Sequence, residues 1–140
     1  MKATTTVLHS ANINDVSVRF FRSDRDGPDF PFVSLLDLLS AARFPITDRK
    51  VFMENLPREF PDEVASLAVD NDGQVEIVRA CSNSMAQGVF GIAEHIGAVD
   101  IDLPYRLAAV DAMDRFTRER GMSEAEAFSF SLTAAMRGFR

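Results

Sequence analysis

Within a dozen positions this chain exchanges one hydrophobic period for another, and that switch limits what it can fold into. Val16-Ser-Val-Arg-Phe-Phe-Arg22 alternates like a strand, a polar turn follows through Asp26-Gly27-Pro28, and Phe30-Pro-Phe-Val33 resumes extended character. Ser34-Leu-Leu-Asp-Leu-Leu-Ser-Ala-Ala42 then repeats its leucines at helical spacing. A hairpin therefore feeds directly into a helix. Val16, Val18 and Phe20 share one strand face and Ser17, Arg19 and Phe21 the other, and the apolar Phe21 on the polar side predicts partial cover on both faces.

The rest of the chain yields to the same reading. Ser34 is placed to cap the first helix, with Leu35, Leu38, Leu39 and Ala42 on its apolar face, and Pro45 ends it. Thr47 reads as the cap of a second short helix that runs to Asn55 and stops before Pro57. Ala65, Leu67 and Val69, then Asn71-Asp72-Gly73, then Val75 and Ile77 form the clearest hairpin pattern. Ser82 or Ser84 caps a third helix carrying Met85, Val89, Ile92 and Ile96, and the glycines inside it, Gly88 and Gly91, read as room for a closely packed neighbour. Gly97 closes it. A fourth helix, Leu103 to Arg120, sets Leu107, Val110, Met113 and Phe116 on one side, and Ser123-Glu-Ala-Glu126 matches a capping box that opens a fifth. The first dozen residues are polar and read either as a frayed arm or as a short edge strand around Thr6 to Leu8. The expectation is a single α+β domain over residues 1–140, with two β-hairpins packed against about five helices.

Composition bounds the function classes. A chain of 140 residues buries roughly 68–70% of the surface that its unfolded form exposes. Cys81 is the lone cysteine, which excludes an intramolecular disulfide and a thiolate cluster and suits a reducing cytoplasm. No run of about 18 apolar residues occurs, so no membrane partner is expected. The net charge of −6 lies wholly between residues 54 and 76, where seven carboxylates face only Arg58.

The strand Val18-Arg19-Phe20, the turn Asp26-Gly27-Pro28, the strand Phe32-Val33 and the helix Asp37-Leu38-Leu39 with Ala41-Ala42 together resemble the N-terminal, BRO-N type domain of phage antirepressors. The second hairpin, Val69 to Arg79, and the helix with Ser82, Ser84 and Ala86 fall where that family places its next strand pair and helix. Arg43-Phe44-Pro45 stands where the family tends to place a glycine. The resemblance spans about the first hundred residues by pattern, and it implies a prophage-type regulator that binds nucleic acid or another regulator.

Candidate chemistry is sparse. Glu94 and His95 are adjacent and so diverge by about 100° on a helix, and with His9 the only other histidine no metal centre or cofactor site is expected. Cys81 beside Ser82 could serve as a nucleophile, although a lone cysteine is more often a buried small hydrophobe. Asp70, Asp72 and Glu76 surround a turn without the register of a calcium loop. Arg19, Arg22, Arg25, Arg43, Arg49 and Lys50 could form one phosphate-binding face, but Asp24, Asp26, Asp29 and Asp48 are interspersed and favour an ordinary mixed-charge surface. Glu59, Asp62, Glu63, Asp70, Asp72 and Glu76 form an acidic surface suited to a basic protein. In the last helix Phe128, Leu132, Met136 and Phe139 make one stripe from which Phe130 points away, more apolar surface than one face can bury. The expected function is that of a non-enzymatic regulatory or adaptor protein, homodimeric through those five residues. Nucleic-acid binding is the alternative, and a small enzyme the third class.

Overall fold

The computed structural model describes residues 3–137. Strands β1 (His9–Ile13), β2 (Val16–Phe21) and β3 (Phe32–Ser34) are followed by helices α1 (Leu35–Ala41) and α2 (Ile46–Glu59). The hairpin β4 (Val64–Asn71) and β5 (Gln74–Cys81) precedes α3 (Asn83–Ala93), a 3₁₀ turn at Glu94–Ile96, α4 (Asp102–Glu119) and α5 (Glu124–Arg137). The strands form one antiparallel sheet in the order β1-β2-β3-β5-β4, which makes the domain α+β as its sequence indicated.

Turn chemistry sets the register at both ends of the sheet. Asp72 and Gly73 take φ of 51° and 89° in the two-residue loop between β4 and β5, and the Gly73 N–H donates to Asp70 Oδ1 at 2.9 Å. Asn14 and Asp15 take φ of 54° and 66° between β1 and β2. Both loops suit the right-handed twist of a tight hairpin. The second makes β1 a genuine edge strand, three residues later than the Thr6 to Leu8 reading placed one. The segment before it crosses to the opposite edge, where the Thr5 N–H donates to the Ala68 carbonyl at 2.9 Å and the Asp70 N–H to that of Thr5 at 2.8 Å. The segment before β1 is thus tied to β4 by one isolated parallel bridge.

Each face of the sheet has its own core. Phe21, Phe32, Val69, Val78 and Ala80 pack together on one face, which explains why Phe21 breaks the polar alternation. Val18, Phe20, Val33 and Cys81 on the other face meet Leu35, Leu38, Leu39, Val89 and Tyr105 from the helices. Tyr105 is fully buried, stacks on Phe20 at 6.1 Å and meets Phe90 edge-on at 5.0 Å. Its hydroxyl donates to Asn83 Oδ1 at 2.6 Å, satisfying a polar atom that would be costly to bury alone.

Three helix readings are corrected. Pro45 rather than Thr47 precedes α2, without a side-chain cap, and α2 continues through Pro57 to Glu59. Proline lacks the N–H that would reach the Met53 carbonyl four residues back, and the Arg79 guanidinium donates to that carbonyl instead. On α4 the buried face is Tyr105, Ala108, Ala112, Met113 and Phe116, leaving Leu107 and Val110 exposed. Gly88 and Gly91 have no close neighbour within the chain, since a Cβ at either would meet nothing within 4 Å.

Candidate recognition surfaces

The arginines read as one phosphate face are each engaged within the chain. Arg19 pairs with Asp37 at 2.8 Å and with Glu76 at 3.3 Å, and its backbone N–H also donates to Asp37. Arg22 grips Glu119 and the Thr6 carbonyl, while Arg25 bridges Asp29 at 3.3 Å and Glu63 at 3.0 Å. The hydrogen bonds to Asp37 and Glu119 hold the Arg19 and Arg22 guanidinium groups above their ordinary range, against the opposing effect of burial. Arg43 donates to Asn14 Oδ1 and Arg49 to the Phe44 carbonyl. Lys50 is exposed. The forks of Arg19, Arg22 and Arg25 that would clasp phosphate instead pair with Asp37, Glu119 and Glu63, carboxylates distant in sequence.

The acidic set divides. Glu59, Asp62, Asp70 and Asp72 are exposed, Glu76 reaches Arg19, and Glu63 turns inward to Arg25 and Ser82. On β5 the exposed Val75 and Ile77 stand among these carboxylates, so the hairpin presents apolar contact as well as charge.

Titratable side chains from distant parts of the chain do converge in one cleft of about 480 Å³, lined by Arg25, Asp29, Glu63, Asn83, Gln87 and Arg137. This site escaped sequence reasoning because no local motif joins residues so far apart. Its charges serve one another. Asp29 accepts from Ser23 Oγ, Arg25 and the Phe30 N–H, and Arg137 donates to the Asp26 and Pro28 carbonyls at 3.1 Å. Burial pushes the Glu63 carboxyl up, but the Ser82 hydroxyl and the Arg25 guanidinium outweigh it and hold the group below its ordinary value. A general acid–base group is tuned the other way, toward neutrality. The cleft clamps the loop between β2 and β3 onto the start of β4 and onto α5.

The isolated reactive candidates are not brought together. Cys81 is fully buried and burial pushes its thiol up to about 12, opposite to the shift of a nucleophile. His9 lies half-buried with its ring 6.2 Å from Phe20, whereas His95 is exposed in the 3₁₀ turn. The Glu94 side chain lies outside the described residues. Among the described residues no three His, Cys, Asp or Glu side chains are grouped to hold a metal ion, and no helix is long and apolar enough to cross a membrane.

The last helix separates its phenylalanines. Phe130 packs 5.7 Å from Phe116 in a small core with Leu8, Met113 and Ala134, and so is spent on holding α5 to α4. Phe128, Leu132 and Met136 face outward with 70%, 52% and 59% of their surface exposed. Phe139 lies outside the described residues. Leu103, Leu107 and Val110 add an exposed row on α4, and Val110 and Phe128 line one shallow groove of about 240 Å³. The two rows thus meet across the helix pair.

No protein-family model, curated protein or solved structure matches this chain. The surfaces themselves therefore carry the functional reading.

Proposed function

We propose that this chain is a non-enzymatic regulatory or adaptor protein that acts by binding other proteins. Its α4–α5 face joins two copies, and its acidic β4–β5 hairpin meets a basic partner. The single observation behind this is the run of six large apolar side chains, each more than half exposed, across two adjacent helices. Apolar area of that kind is rare on a monomer and marks contact surfaces, and a contact made reciprocally by two copies yields a closed two-fold dimer. The hairpin supports the second half of the reading, because exposed Asp70 and Asp72 beside Val75 and Ile77 combine steering charge with area to bury.

Capture from the native host, with wild type, Leu132→Glu and Asp70→Lys/Asp72→Lys baits compared by mass spectrometry, tests this. Partners that depend on one face and not the other are expected. Identical capture by all three baits, or retention of the folded protein on heparin with steep salt dependence, would instead favour the nucleic-acid reading.

A further inference from the structure

A second apolar feature adjoins the cleft, the two sharing Glu63 and Ser84. Between α2 and α3 runs a groove of about 410 Å³ walled by Phe52 and Leu56 of α2, by Phe60 just past its end, and by Met85, Val89 and Ile92 of α3, with Glu63 and Ser84 at its polar edge. Gly88 lines it. Glycine weakens a helix interior, and no atom of this chain comes near enough to Gly88 to require one. The residue fits a backbone approaching from outside.

We infer that this groove receives α5 of a second copy, Phe128, Leu132 and Met136 forming the inserted ridge. This rests on the self-association proposed above and says how the copies join. Those three residues stand at i, i+4 and i+8, the spacing of a ridge that packs between the side chains of neighbouring helices. From Phe128 to Met136 the ridge is about 12 Å long, and Phe52 to Glu59 cover about 10 Å of α2 with Phe60 just beyond its end. Charge fixes the direction. Arg49 and the exposed Lys50 stand before Phe52 and exposed Glu59 and Asp62 flank Phe60, whereas α5 begins with exposed Glu124 and Glu126, so its acidic first turn belongs at the Phe52 end of the groove. Within one copy α5 cannot make this contact, because Phe130 and Ala134 hold it on α4 with the ridge facing away.

The test is cross-linking between copies with a short bis-maleimide, using Gly88→Cys and Leu132→Cys chains, with the native Cys81 buried and silent. Both changes are at exposed positions and leave the cores untouched. A product that forms only when the two variants are mixed supports the groove, and Lys50→Glu should lower its yield several-fold by setting like charge against Glu124 and Glu126. If Leu132→Cys links efficiently to itself, the copies pair helix to helix and groove docking is wrong while self-association stands. If no product forms and every variant has the mass of one chain, both proposals fail.

Discussion

Replacing Ser82 with alanine probes the junction at which β5 hands over to α3. The hydroxyl is 1% exposed and serves twice: Oγ accepts the Met85 N–H at 3.1 Å as a helix cap, and its hydrogen is donated to the Glu63 carboxylate. Losing a capping hydroxyl costs about 1 kcal/mol. A hydrogen bond to a charged group adds roughly 1.5–3 kcal/mol, the lower end applying here because Glu63 keeps Arg25 and is partly exposed. The expected loss is about 2–3 kcal/mol, which lowers a urea midpoint by about 1–2 M at an unchanged slope. Acid provides a second arm. The carboxylate has a lowered pKa in the fold, so its stabilisation is complete above the unfolded-chain value of about 4.3 and is lost as pH falls through the folded value. The gap between wild type and Ser82→Ala should then shrink below about pH 4 toward the capping share of about 1 kcal/mol. A gap under about 0.5 kcal/mol at neutral pH, the range of an ordinary surface change, or one that acid leaves untouched, would refute the double role.

Other substitutions separate the parts. Phe130→Ala should cost about 2 kcal/mol in a thermal melt through its lost packing on Phe116, while the exposed Phe128→Ala should stay within about 0.5 kcal/mol of wild type; equal losses would contradict the division of the last helix into a docked and an open face. Cys81, with its buried thiol raised to about 12, should ignore an aromatic disulfide reagent until the protein unfolds, and fast labelling of the native state would dispute its burial. Asp37→Ala strips acceptors from both the backbone and the guanidinium of Arg19, and should cost about 2 kcal/mol in urea, with Asp37→Asn recovering part. An unchanged midpoint would mean that the pair is only a surface ornament.

What the sequence made legible is what is decided locally. Ser34 caps α1 through the Asp37 N–H, and Ser123 and Glu126 exchange hydrogen bonds as a capping box requires. The Asp72-Gly73 turn needs only its own residues. Other features depend on partners far along the chain. On α4 two apolar sets compete, Leu103, Leu107 and Val110 against Tyr105, Ala108 and Ala112, and stacking of Tyr105 on Phe20 buries the second set. Nothing in the helix itself reveals that choice. β1 was hard to read because His-Ser-Ala-Asn-Ile contributes only one fully buried side chain, though Asn14-Asp15, two residues that tolerate positive φ, was its available signal. The arginine surface dissolved into ion pairs because carboxylates such as Glu119 and Asp37 arrive from other elements. For the candidate site, the exposed row on α5 was visible from sequence, whereas its extension onto α4 and the groove between α2 and α3 required the packed fold.

The account turns on whether the open α4–α5 face is a contact surface. Molar mass by light scattering across rising concentration addresses this directly. The wild type should approach twice the 15.5 kDa of one chain, and Leu132→Glu should remain at the single-chain mass with its melting temperature preserved. A wild type that stays at one chain's mass at the highest concentration reached would contradict it.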